Sequence, residues 1–124
     1  MNKRFLDKVV IVTGSGSGIG QTTAERFAEE GAKVIIAELD KTTGKLVEEN
    51  INKKNNQSKF IETDVSDFNS VNDMVNGAIK QFGPPDILIN NAGINVFSEP
   101  LKMSDAEWKR AFSVDLDGVW YGCK

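Results

Sequence analysis

The chain has 124 residues, of which 40% are hydrophobic and 27% charged, and a formal net charge of -3, so it can build one hydrophobic core. The charge provides no basic surface for a nucleic acid or an anionic membrane, and no apolar run reaches the length of a signal peptide or a membrane span. Because there is no histidine and the only cysteine is Cys123, we expect no metal site, no Ser/His or Cys/His nucleophile and no internal disulfide, as is typical of the cytoplasm.

Apolar runs and helical patterns alternate along the chain. The runs at residues 9–12, 34–37, 60–65 and 87–89 predict strands, and the segments 21–30 and 43–53 predict the first two helices. Gly31 is the expected C-terminal cap of the first helix. The alternation predicts βαβ units and therefore a doubly wound, Rossmann-like parallel sheet with helices on both faces.

Two more helices follow from hydrophobic spacing and capping residues. The third has its apolar residues on one stripe and ends at Gly83; the stripe consists of Val71, Met74, Val75, Ala78, Ile79 and Phe82. The last begins at Ser104, which forms a capping-box pattern with Glu107, and we expect it to continue to Lys124. Its apolar residues Trp108, Ala111 and Phe112 are predicted to face the sheet.

A glycine-rich loop follows the first strand and opens the first helix. The strict G-x-G-x-x-G spacing is not met, and the glycines in useful positions are Gly14, Gly18 and Gly20. We expect Gly14 to end the strand, Gly18 to let a diphosphate approach the main chain, and Gly20 to let the helix pack close to the strand. The context of strand, loop and helix predicts a dinucleotide site rather than an ordinary turn.

Glu38 ends the second predicted strand, eighteen positions after Gly20. A carboxylate there accepts hydrogen bonds from ribose hydroxyls and repels a 2′-phosphate, and the glycine loop contains no Arg or Lys. NAD is therefore favoured over NADP. The alternative is that Glu38 is a solvated strand-end residue and Lys41 reaches the phosphate.

Three motifs in chain order resemble the short-chain dehydrogenase/reductase family. They are Thr13-Gly-x-x-x-Gly-Ile-Gly20, Asp64-Val65 after the third strand, and Asn90-Asn91-Ala92-Gly93 after the fourth. The resemblance implies that Asp64 and Val65 flank the adenine, that Asn91 with Ala92 and Gly93 lines the cofactor ribose, and that Asn90 supports the sheet. The predicted cofactor contacts are Gly14, Ser15, Ser17, Gly18, Ile19, Gly20, Glu38, Leu39, Asp64, Val65, Asn91, Ala92 and Gly93.

Asp115 occupies a position at which this family usually has an asparagine, proposed to help hold a water in a proton relay. A carboxylate cannot donate a hydrogen bond as an amide does unless it is protonated. Asp115 is therefore either a candidate catalytic residue or a helix residue that takes no part in the reaction.

The resemblance implies an oxidoreductase that moves a hydride between the nicotinamide and an alcohol or ketone. The family's serine, and its tyrosine followed four residues later by a lysine, lie beyond the segment that this chain resembles, and the spacing of Tyr121 and Lys124 is three. We therefore interpret residues 1–124 as an NAD-binding domain that is incomplete at its C-terminus, truncated after the fourth strand and following helix. The alternatives are a nucleotide-binding half-domain without activity of its own and a remnant without function. The resemblance also implies a homo-oligomer.

Overall fold

Four parallel strands alternate with helices in the described part of the chain. The computed structural model describes residues 3–93 and 104–123. In chain order the elements are β1 (Val9–Thr13), α1 (Gly18–Glu29), β2 (Lys33–Glu38), α2 (Lys41–Lys53), β3 (Gln57–Glu62), α3 (Phe68–Phe82), β4 (Ile87–Ile89), α4 (Asp105–Phe112), a π-helical segment (Ser113–Asp117) and α5 (Gly118–Cys123). The sheet order is β3-β2-β1-β4 and each neighbouring pair is parallel, which confirms the predicted Rossmann-like fold.

The central strands are buried on both faces because helices cover the sheet from both sides. The side chains alternate along β1, so that Val10 and Val12 face one helical layer and Ile11 faces the other. One layer packs α1 and α2 on the sheet through Ala24, Ala28, Val47 and Ile51. The other packs α3 through Val71, Met74 and Ala78, three members of the predicted apolar stripe.

Capping residues mark the ends of the helices, although α1 and α2 begin at Gly18 and Lys41, a few residues before the predicted starts. Gly31 has a φ of +94° just after α1, in the left-handed region, as a C-terminal glycine requires. Asp40 precedes α2 and accepts hydrogen bonds from the main-chain N–H groups of Thr42 and Thr43 at 2.8 and 3.2 Å. Ser104 accepts one from Glu107 N at 3.1 Å, which confirms the predicted start of the last helix.

The third strand lies three residues earlier than predicted. The run at 60–65 indicated the strand, but β3 pairs with β2 from Gln57, opposite Lys33, to Glu62, opposite Glu38. The prediction was wrong because β3 is at the edge of the described sheet, so it carries polar residues and its apolar pattern does not mark its ends. Val65 lies beyond the strand, buried against the last helix.

The apolar stripe of the last helix faces outward rather than toward the sheet. Trp108 and Phe112 are 56% and 42% exposed, and their rings contact each other with centroids 4.5 Å apart. The predicted orientation was wrong because the inward face of this segment is formed by Val114, Gly118 and Tyr121 instead. The helix is also interrupted by a π-helical turn, and its predicted end at Lys124 lies outside the described residues.

An ion pair joins the segment before β1 to the end of α1. Nε and Nη2 of Arg4 donate to the two carboxylate oxygens of Glu30 at 2.6 and 2.7 Å, and the Glu30 side chain is 4% exposed. The hydrogen bonds and the positive charge of Arg4 lower the pKa of Glu30, and Glu30 raises the pKa of the guanidinium.

No helix within residues 3–93 and 104–123 has the length and apolar character to cross a membrane.

Candidate functional site

A cavity of about 300 Å³ opens at the carboxyl ends of the parallel strands. It lies where the strand order changes direction, because β2 and β4 flank β1 on opposite sides. Clefts at such switch points bind ligands in open α/β sheets. The lining residues are Gly14, Ser17, Ala37, Glu38, Leu39, Thr63, Asp64, Val65, Asn91, Ala92, Gly93, Arg110 and Val114.

The start of α1, just after the glycine loop, has features that suit a bound anion. Gly14 and Gly18 have φ values of +64° and +56°, which residues with a side chain rarely adopt. Ser17 precedes the helix without a side-chain capping hydrogen bond, and the first turn carries no acidic residue. The missing side-chain cap and the absence of acidic residues favour a negatively charged ligand at this helix terminus.

Gly20 brings α1 close to the loops that follow β1 and β4. A Cβ atom at Gly20 would lie 2.3 Å from Gly14 O and 2.4 Å from Asn91 Nδ2, distances far inside van der Waals contact. Asn91 Nδ2 itself donates to Gly14 O at 3.2 Å. Glycine at position 20 therefore permits the helix, the glycine loop and the loop after β4 to meet at one point.

The hydroxyl of Thr13 joins the same two loops. Its Oγ1 accepts hydrogen bonds from the main-chain N–H groups of Asn91 and Ala92, both at 3.0 Å, and donates to Ile89 O at 3.4 Å. Thr13 is 3% exposed. It ends β1 opposite Ala37 of β2, so one buried hydroxyl sets the path of the Asn-Asn-Ala-Gly segment relative to the glycine loop.

The Glu38 carboxylate lies on the opposite wall of the cavity. Its Oε1 accepts a hydrogen bond from Gly16 N at 2.9 Å, and its Oε2 accepts from Leu39 N and Asp40 N at 2.9 and 3.1 Å. Lys41 points elsewhere, since its Nζ lies 3.4 Å from Glu62 Oε2. Glu38 is thus a half-buried acceptor on the cavity wall, held by three main-chain N–H groups.

Asp64 and Val65 form the floor between β3 and the last helix. Asp64 Oδ1 accepts hydrogen bonds from Ser66 N at 3.0 Å and Ser66 Oγ at 2.6 Å, which hold the turn after β3. Val65 is 8% exposed and packs against Gly118, where a Cβ atom would lie 2.8 Å from Val65 Cγ2. This close contact brings the last helix to the cavity.

Some predicted contacts do not line the cavity. Ser15 is fully buried, and its Oγ donates to Val12 O at 2.8 Å. Gly18 and Ile19 border a neighbouring groove of about 780 Å³, where Ile19 is 80% exposed. Gly20 acts through the close approach described above.

The structure adds lining residues that the sequence analysis missed. Thr63 lies just after β3, and its N–H donates to Glu38 O at 3.0 Å. Arg110 and Val114 come from the last helix, one turn apart. No motif marked Arg110, and Val114 stood out only as the neighbour of Asp115, because a helical pattern does not show which residues reach a cavity; the contact of Gly118 with Val65 helps to bring that helix there.

Asp115 lies beside Gly93 at the edge of the site. A Cβ atom at Gly93 would lie 3.3 Å from Asp115 Oδ1, and Asp115 belongs to the π-helical segment. Single π turns inside α-helices are frequent at functional sites. The structure therefore places this carboxylate next to the Asn-Asn-Ala-Gly segment.

The sheet order, the glycine loop and the polar residues at the strand ends define a Rossmann-like nucleotide-binding domain. A family model described as short chain dehydrogenase matches residues 8–124. The chain belongs to the short-chain dehydrogenase family, a family of oxidoreductases.

Individual relatives agree with this assignment. An uncharacterized oxidoreductase of Thermotoga maritima is 42% identical over 117 residues, which is 91% of this chain and 44% of that protein. A meso-2,3-butanediol dehydrogenase of Serratia marcescens is 38% identical over 98% of this chain and 47% of its own length. A short chain dehydrogenase/reductase from Burkholderia phymatum, solved in complex with NAD, superposes with a TM-score of 0.93 at 30% identity over 95% of this chain and 42% of that one. This chain thus spans about half the length of these relatives.

Proposed function

We propose that this chain is the cofactor-binding part of an NAD-dependent oxidoreductase whose complete form acts on an alcohol or ketone. The proposal rests on the convergence of separate sequence segments on one cavity. Four separate segments of the sequence, the glycine loop, Glu38, Asp64-Val65 and Asn91-Ala92-Gly93, meet around one cavity at the strand ends. The nicotinamide ring supplies the hydride chemistry when the dinucleotide is bound, and the chain supplies binding and orientation.

The charges around the cavity support NAD rather than NADP. A 2′-phosphate on the adenosine ribose would approach the Glu38 carboxylate, which three main-chain N–H groups hold in place. Lys41, the cation that the sequence offered as an alternative partner, pairs with Glu62. Arg110 is the one cation among the described lining residues, and it is on the helix that packs on Val65 rather than in the glycine loop.

Titration of the chain with NADH and NADPH tests the proposal. We expect saturable binding of NADH that is tighter than that of NADPH. Glu38→Ala should weaken NADH binding about tenfold, since a hydrogen bond to a charged group contributes about 1.5–3 kcal/mol, and should leave NADPH binding equal or improved. Protein fluorescence or calorimetry measures both dissociation constants.

Glu49→Ala is the matched control, because Glu49 is an exposed carboxylate on α2 outside the cavity. It should leave both dissociation constants within about twofold, as surface substitutions usually do. An unchanged preference in Glu38→Ala would contradict our account of Glu38. Absence of saturable binding of either nucleotide to the wild-type chain would contradict the proposed function itself.

The catalytic role of Asp115 stays part of this proposal. Its carboxylate lies beside Gly93, on the side of the cavity formed by the loop after β4. We place it near the nicotinamide end of the dinucleotide because Glu38, on the opposite wall, is assigned to the adenosine ribose. A chain that binds NADH, but neither reduces a ketone with NADH nor oxidises an alcohol with NAD⁺, would be the nucleotide-binding half-domain considered from the sequence.

We also propose that copies of the chain associate through the outer face of the last helix. Trp108, Phe112, Leu116 and Trp120 recur every four residues and are 42–62% exposed, so they form one apolar stripe. A contiguous apolar surface of this kind marks an interaction site. Because a two-fold dimer buries the same patch on both subunits, one such stripe is sufficient for self-association.

A charge in this stripe should separate the copies. We expect Leu116→Glu to convert a dimer into a monomer in sedimentation velocity, since a carboxylate buried without a partner costs several kcal/mol. Leu46→Glu is the control, because Leu46 is 55% exposed on α2, outside the stripe. A wild-type chain that sediments as a monomer at all concentrations, or an unchanged mass for Leu116→Glu, would contradict the proposed interface.

A further inference from the structure

Glu38 is tied to the glycine loop by a hydrogen bond that spans 22 residues of sequence. Two of its three main-chain donors, Leu39 N and Asp40 N, are its immediate successors and hold Oε2. The third, Gly16 N, comes from the loop after β1 and holds Oε1 at 2.9 Å. The orientation of the carboxylate over the cavity therefore depends on where Gly16 lies.

Gly16 is a glycine because of the space around it and not because of its backbone angles. Its φ is outside the left-handed region, in contrast to Gly14 and Gly18. A Cβ atom at Gly16 would lie 2.5 Å from Thr43 Oγ1 and 2.7 Å from both Cγ and Oε1 of Glu38. Alanine at position 16 is compatible with the main chain, but it collides with the side chain of Glu38.

Glu38 can yield to such a collision only by moving its side chain toward the cavity. Thr43 lies on the same side of Gly16 and belongs to the first turn of α2, whose start is fixed by the Asp40 cap. The strand behind Glu38 is paired on both sides, with β1 and with β3. A methyl group at position 16 must therefore push the carboxylate outward and break its bond to Gly16 N.

We propose that Gly16 is a positioning residue that acts through Glu38 and sets the selectivity between dinucleotides with a free 2′-hydroxyl and those with a 2′-phosphate. Its N–H orients the acceptor, and its missing side chain leaves the acceptor in place. The selectivity part rests on the proposed function. The hydrogen bond from Gly16 N to Glu38 Oε1, which ties the glycine loop to the end of β2, is present in the unliganded chain.

The first experiment detects this hydrogen bond, the tie between Gly16 and Glu38, without any nucleotide. In ¹H–¹⁵N spectra of the unliganded chain, Glu38→Ala should shift the Gly16 amide proton strongly upfield, because this proton loses its acceptor. Glu49→Ala should leave it unchanged. A Gly16 amide that does not respond to Glu38→Ala would overturn the tie, whatever the chain binds.

The second experiment measures coupling in a double-mutant cycle of Gly16→Ala and Glu38→Ala. We expect Gly16→Ala to lower the ratio of NADH affinity to NADPH affinity about tenfold in the wild-type background. In the Glu38→Ala background it should leave this ratio unchanged, because the effects of two residues that act through one contact are not additive. Gly77→Ala is the control, since Gly77 is on α3 and its added Cβ would meet only Ile61 Cδ1, at 3.1 Å.

The outcomes distinguish a role of Gly16 in selectivity from a purely structural one. Additive effects on the ratio, or an equal loss of both nucleotides, would show that Gly16 is merely structural and would overturn the selectivity role. If Gly16→Ala does not fold, Gly16→Ala combined with Thr43→Ala removes the tighter contact and completes the cycle. A wild-type chain that binds neither nucleotide overturns the proposed function and this selectivity with it, whereas the amide result still decides the tie.

Discussion

Thr13→Val should lower the free energy of unfolding by about 2 kcal/mol, because the part-buried amide of Ala92 loses its acceptor, which costs about 1–3 kcal/mol. Valine has nearly the shape of threonine, so the core around β1 keeps its packing while Oγ1 is lost. The N–H of Ala92 then loses its acceptor, whereas the N–H of Asn91 keeps a hydrogen bond to Ile89 O at 3.1 Å. Urea unfolding followed by circular dichroism measures the change.

Thr13→Ser is the matched control, since it keeps the hydroxyl and removes one methyl group. We expect it to cost only about 1 kcal/mol, the value of one buried methyl group. The two variants should also differ in binding, because the loop that lines the cavity from Asn91 to Gly93 is released only in Thr13→Val. Equal losses of stability for valine and serine would show that the two hydrogen bonds to Oγ1 do not hold this loop.

The sheet could be predicted because each of its central strands contains a continuous apolar run. The runs in β1 and β2 are buried on both faces, which is why hydrophobicity alone located them. The edge strand β3 is determined by its pairing with β2, and only Phe60 and Ile61 of its residues are apolar. Its ends were therefore visible only in the register of the main-chain hydrogen bonds.

The last helix shows a second limit of the sequence pattern. Its residues Trp108 and Phe112 suggested an inward face, yet Val114, Gly118 and Tyr121 take that place. Gly118 packs against Val65 so closely that a larger residue would not fit. A small residue at a tight contact has no hydrophobic signal, whereas a stripe of large exposed residues has a strong one.

The candidate site was predictable where its residues follow strands directly. Glu38 and the Asn91–Gly93 segment lie at strand ends, and parallel strands bring such ends to one edge of the sheet. Arg110 and Val114 reach the cavity from a helix, so their part depends on helix packing. The role of Thr13 is also tertiary, because its hydroxyl acts on residues almost eighty positions away.

Gly20→Ala should have the second large effect, a loss of about 3 kcal/mol in the free energy of unfolding, at the upper end of what overpacking usually costs. The added Cβ would lie 2.3 Å from Gly14 O and 2.4 Å from Asn91 Nδ2. The first of these is main chain that cannot rotate away, so α1 must move from the end of β1. Thermal or urea unfolding measures the loss.

Gly18→Ala distinguishes collision from backbone strain in the same loop. Gly18 has a left-handed φ of +56° and no atom within 4 Å of an added Cβ, so its substitution should cost only about 1 kcal/mol, the strain of that conformation. If Gly20→Ala costs no more than Gly18→Ala, the close approach of α1 to the two loops is not what requires glycine at position 20. A larger loss accompanied by at least about tenfold weaker NADH binding would tie that approach to the ligand, because displacing α1 moves the main-chain N–H groups proposed to face the diphosphate.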